Sequence, residues 1–115
     1  KKMSQSFPFA LRFVLQPVPQ WCDKDLSDEE AVLFRYLEKE YDTHNIMTKF
    51  TKDLYLNYSD MVRKTCEDLD IEFWDMNIML GDVVSDDKWL FVDRAHLTDQ
   101  GNMKVSELLY SMDQD

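Results

Sequence analysis

The chain has 115 residues, 23 acidic and 13 basic, for a net charge of −10. That length accommodates one domain or part of one, and 44% hydrophobic residues is too apolar for a disordered segment. The acidity works against binding nucleic acid or anionic membranes. No run of about 18 apolar residues is present to span a bilayer, and two glycines, Gly81 and Gly101, leave no phosphate-binding loop.

The charge is uneven. Residues 1–22 carry Lys1, Lys2 and Arg12 and no acid, a total of +3, which leaves −13 for residues 23–115. Within that basic start, Phe7 to Pro17 is mostly apolar, with β-branched and aromatic residues and a proline stop. It predicts a strand over 9–15, buried on both faces as in a parallel sheet. Gln16-Pro17-Val18-Pro19 then forces an extended exit, and Trp21 reads as an aromatic packed under that loop.

Ser27-Asp28-Glu29-Glu30 is a capping box, with Ser27 at the N-cap and Glu30 at N3. The helix it opens should run to about Tyr41 and bury Val32, Leu33, Tyr36 and Leu37. His44 reads as an exposed loop histidine. A second helix is predicted over Thr51 to Leu69, with Leu54, Tyr58, Met61, Val62, Cys66 and Leu69 as its inner stripe. Met61 and Cys66 suit core filling.

Ile71 to Asp75 predicts a second strand, parallel to the first because a helical crossover separates them. Met76 to Lys88 reads as a loop with a short helical turn at 78–80. Its Asp82, Asp86 and Asp87 fail the EF-hand spacing and suit a solvated acidic loop. Cys22 and Cys66 match neither a zinc pattern nor C-x-x-C. No metal or cofactor is expected.

Trp89-Leu90-Phe91-Val92 then leads into Asp93-Arg94-Ala95-His96-Leu97-Thr98-Asp99-Gln100-Gly101-Asn102. Two residues separate Asp93 from His96, so one tight turn can bring carboxylate and imidazole together. That pair is the base half of a Ser-His-Asp relay: the carboxylate orients the ring, and the other ring nitrogen takes the nucleophile's proton. Thr98 should cap a last helix whose Val105, Leu108, Leu109 and Met112 face a core.

The block Asp93-x-x-His96-Leu97-Thr98-x-x-Gly101-Asn102 resembles the last conserved block of the SGNH (GDSL-type) hydrolases, which cleave or transfer acyl esters. The resemblance implies catalytic roles for His96 and Asp93. It also implies an α/β fold, part of a three-layer α/β/α sandwich with a parallel sheet. The Gly-Asp-Ser block that carries that family's nucleophile has no counterpart here: Gly81-Asp82 runs into Val83-Val84-Ser85, and no separate oxyanion glycine can be placed.

Residues 1–115 are therefore expected to be a single partial domain, the C-terminal half of such a hydrolase, acting on an acyl ester. The serine, the oxyanion donors and further strands would come from a missing N-terminal segment, a second polypeptide or self-association. The competing expectation is a non-catalytic acidic interaction domain of α/β fold. A metal site on Asp93 and His96 would need a third ligand, His44 or Asp82. Neither the compartment nor the ester is legible.

Overall fold

The structure is a computed structural model that describes residues 9–41, 49–84 and 88–114. Two strands, β1 (Arg12–Leu15) and β2 (Glu72–Asp75), are joined by helices α1 (Asp28–Tyr41) and α2 (Lys52–Asp68). Helices α3 (Met76–Gly81) and α4 (Asp99–Met112) follow. The strands pair in parallel, with Arg12 opposite Glu72 and Leu15 opposite Asp75. The chain is thus α/β at this level, with a two-stranded parallel sheet among the described residues. None of its helices is long and apolar enough to cross a membrane. His44, Asp86 and Asp87 lie outside the described residues.

The first strand departs from expectation. Phe13 and Val14 are 41% and 39% exposed, and only Leu15 is buried. Among the described residues β2 alone pairs with β1, and the covering helices meet the sheet elsewhere: α2 packs on β2, and α3 reaches β1. Beyond β1, the Pro17–Pro19 segment is buried, and Trp21 stacks on Tyr55 at 5.3 Å between ring centroids. Trp21 is thus a packing aromatic, as expected.

Both long helices form where predicted, each turned about its axis. In α1 the capping box is made: Glu30 N donates to Ser27 Oγ at 3.3 Å, and Ser27 N donates back to Glu30 Oε2 at 2.9 Å. Yet Glu30 and Phe34 are the buried residues, while Val32 and Tyr36 face outward. In α2 the inner residues are Tyr55, Ser59 and Cys66, and Leu54, Tyr58, Met61 and Leu69 of the expected stripe are exposed. The physical reason is the same in both: a buried carboxylate selects the inward face.

For α2 that carboxylate is Asp75, at the end of β2. Its Oδ2 accepts from Tyr55 Oη at 2.9 Å and Ser59 Oγ at 2.7 Å. Its Oδ1 accepts from Asn77 N and Asn77 Nδ2, both at 3.0 Å. Asp75 is thereby the N-cap of α3, a helix where a loop with one turn was expected. Asn77 in turn accepts from Val18 N at 2.8 Å and donates to Gln16 O at 3.1 Å, which ties β1's exit to α3.

Helix α2 ends without glycine. Asp70 takes the left-handed conformation at φ 55°, and Ile71 N and Asp70 N donate to Cys66 O and Glu67 O at 2.8 and 3.0 Å. These are the two hydrogen bonds of a Schellman cap, with aspartate tolerating the backbone that glycine usually supplies. The chain's two glycines serve close approach instead. A Cβ at Gly81 would sit 2.6 Å from the Cys22 carbonyl oxygen, and one at Gly101 would meet the Leu90 carbonyl.

Cys22, Phe34, Leu80, Leu90 and Phe91 form one core cluster. Leu15, Val18, Trp21 and Tyr55 form a second. Cys22 and Cys66 are free and buried.

Candidate functional site

The Asp93/His96 segment is a closed loop built by short-range hydrogen bonds. Phe91 and Leu97 form an antiparallel bridge, and Val92 N donates to His96 O at 2.9 Å. Thr98 N donates to Leu90 O at 2.8 Å, and Thr98 Oγ1 to Trp89 O at 3.0 Å. Thr98 also caps α4 as expected, accepting from Gly101 N at 3.0 Å. This contact explains the glycine three residues after the threonine: the first turn of α4 lies against the Leu90 carbonyl, with no room for a side chain.

Within the loop Asp93 does two things at once. Its Oδ1 accepts from Ala95 N and His96 N, both at 2.8 Å, which folds the turn. The same carboxylate meets His96 Nδ1, at 2.8 Å from Oδ2 and 3.0 Å from Oδ1. Partial burial pushes the Asp93 carboxyl up, but the Ala95 amide, the His96 ring and the His96 amide together outweigh it and hold the group below its ordinary value. It is an ionised partner at neutral pH. The His96 side chain is 73% exposed, and among the described residues its ring bonds to Asp93 alone. Nε2 is therefore open to a ligand.

Three elements hold this loop in place. Gln16, the first residue past β1, donates through Nε2 to the Ala95 carbonyl, so the loop lies at the C-terminal end of the parallel strands, as expected. Arg94 Nε pairs with Glu38 of α1 at 2.6 Å, and its guanidinium lies 4.9 Å over the Phe34 ring. The third support is Glu30. Its Oε1 accepts from Leu90 N at 2.8 Å and Phe91 N at 3.0 Å, and its Oε2 pairs with Lys24 Nζ at 2.6 Å. Both side chains of that ion pair are fully buried.

Glu30's sequence signal, a capping-box acid, was legible, but its second role was not. The amides of Leu90 and Phe91 lie 60 residues downstream, and nothing in local spacing reports on them. Asp75 and Asn77 were likewise unassigned from sequence. An aspartate ending a strand just before a helix is an N-cap signal that could have found Asp75.

A cavity of about 280 Å³ opens beside His96, between the loop and the last turns of α1, with Phe34, Leu37, Tyr41 and Ala95 in its wall. Among the described residues no third histidine, cysteine or acid joins Asp93 and His96 in a metal-binding group. Cys22 is no substitute nucleophile: burial pushes its thiol up to about 12, and its sulfur lies 3.6 Å from Asn77 Oδ1. No protein-family profile matches the chain, and no curated protein matches its sequence.

Proposed function

We propose that this chain is the Asp/His-bearing part of a serine ester hydrolase or acyl-transfer enzyme of the SGNH type. The observation that carries this reading is the His96 ring, bound through Nδ1 to an ionised Asp93 and open at Nε2, beside a cavity. In this reading His96 Nε2 takes the proton of a serine hydroxyl as it attacks the ester carbonyl. Asp93 holds the ring and stabilises the imidazolium, and His96 then protonates the departing alcohol. Water repeats the cycle on the acyl-enzyme.

The serine and the oxyanion donors belong to a further segment or second chain, whose strands extend the sheet beside β1 into a three-layer sandwich. The exposed Phe13 and Val14 side chains support that docking. A second reading, a non-catalytic interaction domain, is favoured by one observation. Asp93 closes its own turn through two backbone amides, a structural role that needs no chemistry.

Turnover of p-nitrophenyl acetate separates the two. The 115-residue chain alone should match buffer rates. The gene product including any coding sequence upstream of Lys1 should turn over, and His96→Ala should lower that rate roughly 10³-fold or more. Turnover indifferent to His96→Ala, or none from the gene product, refutes the enzymatic reading.

A further inference from the structure

Besides the reacting centre, the loop shapes a recognition surface. The cavity beside His96 is walled by the last turns of α1 and by residues 93–96. The charged groups that border it are held against their neighbours. Glu38 is paired with Arg94 at 2.6 Å, and both side chains are largely buried. The guanidinium's remaining face is laid on the Phe34 ring. Most of the wall is the hydrocarbon of Phe34, Leu37 and Ala95 and the Tyr41 ring, with the His96 imidazole at one side.

We infer that this cavity is a specificity subsite that takes an uncharged hydrocarbon group of the ester. The inference rests on the hydrolase reading for its link to turnover, but binding in the cavity can be read independently. A charged or sugar-like group would lie mostly against the hydrocarbon of Phe34, Leu37 and Ala95 and the Tyr41 ring, in a wall where Glu38 is already held by Arg94 Nε. Burying its polar atoms unpaired would cost more than it gained. A hydrocarbon group gains in proportion to the apolar area it buries. A cavity of about 280 Å³ is large enough for a short hydrocarbon chain and too small to enclose a long one. The hydrocarbon could be the acyl chain or the alcohol, since either end of an ester reaches the imidazole.

Two measurements test this. The first uses the gene product with any coding sequence upstream of Lys1 and needs no catalysis. Octanamide, 1-octanol and triethylene glycol are each titrated while the methyl signals of Leu37 and Ala95 are followed by NMR. The two hydrocarbon probes should shift both methyls saturably, and the glycol should not. Ala95→Leu should weaken binding at least about tenfold, roughly the effect of denying two methylenes their burial. Glycol binding as well as the hydrocarbons, or Ala95→Leu leaving affinity unchanged, overturns the subsite.

The second uses the ester-hydrolysing gene product with two series, acyl chains of two to sixteen carbons on one alcohol and the same alkyl lengths on acetate. One series should peak at an intermediate chain length and thereby name which half of the ester enters. Ala95→Leu should move that peak to shorter chains. Turnover that depends on His96 but not on chain length in either series refutes the subsite and leaves the hydrolase reading standing. Hydrocarbon binding without His96-dependent turnover does the reverse.

Discussion

Removing the Glu30 carboxylate should disconnect the Asp93/His96 loop from α1. Four donors converge on that side chain: Leu90 N, Phe91 N, Ser27 N and Lys24 Nζ, at 2.6 to 3.0 Å. Glu30 and Lys24 are fully buried, so neither water nor salt screens the pair. Glu30→Ala removes the ammonium's ion-pair partner and leaves it the Asp25 carbonyl at 2.9 Å. Breaking a buried pair on one side costs about 3–5 kcal/mol, and each amide left dry adds about 1 kcal/mol or more. Against a usual total of about 5–15 kcal/mol, Glu30→Ala sits at the edge of folding.

The informative variant is Glu30→Gln. It keeps the volume and one oxygen for the Leu90 and Phe91 amides, but turns an NH₂ group toward Lys24 Nζ and Ser27 N. A loss of about 3 kcal/mol is expected in urea denaturation followed by circular dichroism. Lys24→Met in the same chain removes the stranded charge and should recover at least about 1 kcal/mol of that loss, a coupling read from the double-mutant cycle. Hydrogen exchange at Leu90 and Phe91 should accelerate locally in Glu30→Gln before global unfolding does. A cost below about 1 kcal/mol for Glu30→Gln, or strict additivity with Lys24→Met, would refute the clamp.

Gly101→Ala should destabilise the chain by about 1–3 kcal/mol, because the new methyl meets the Leu90 carbonyl and approaches Leu97 Cδ2 to 2.9 Å. The gain in helix propensity of about 1 kcal/mol should not compensate, so an unchanged thermal midpoint contradicts the close approach. Stability should fall as pH rises from about 9 toward about 12. Burial raises the Cys22 thiol from 9.0 to about 12 and also raises Tyr55, whose hydroxyl is bound to Asp75, so the unfolded chain loses these protons first. Cys22→Ala should flatten the lower part of that fall in urea midpoints measured against pH. At the acid end Asp93 works with the opposite sign. Its carboxyl lies below the ordinary 3.8, so its contribution is present above that value and disappears as the folded form is protonated. Asp93→Asn keeps an oxygen for the Ala95 and His96 amides but should lose that part of the acid limb. An acid profile identical to the parent's would contradict the assignment.

Much of this molecule is legible one stretch at a time. Ser27-x-x-Glu30 and Thr98 mark helix starts by hydrogen bonds that close within three residues. The three-residue step from Asp93 to His96 places a carboxylate against an imidazole for the same reason. The parallel pairing follows from the helical crossover between two apolar runs. Such features depend on neighbours in the chain, and the sequence states who those neighbours are.

The tertiary structure decided which face each helix turns inward. By apolar periodicity Val32 and Tyr36 belong inside, as do Leu54 and Met61, yet all four are exposed. The inward positions went to Glu30 and Phe34 in α1, and to Tyr55, Ser59 and Cys66 in α2. A buried carboxylate with all its acceptor sites filled holds its neighbours in one orientation, whereas apolar contact is tolerant of rotation. Glu30 found two of its four donors about 60 residues away, and Asp75 found Tyr55 and Ser59 on the preceding helix. Those partners share no local pattern, so only the folded chain brings them together.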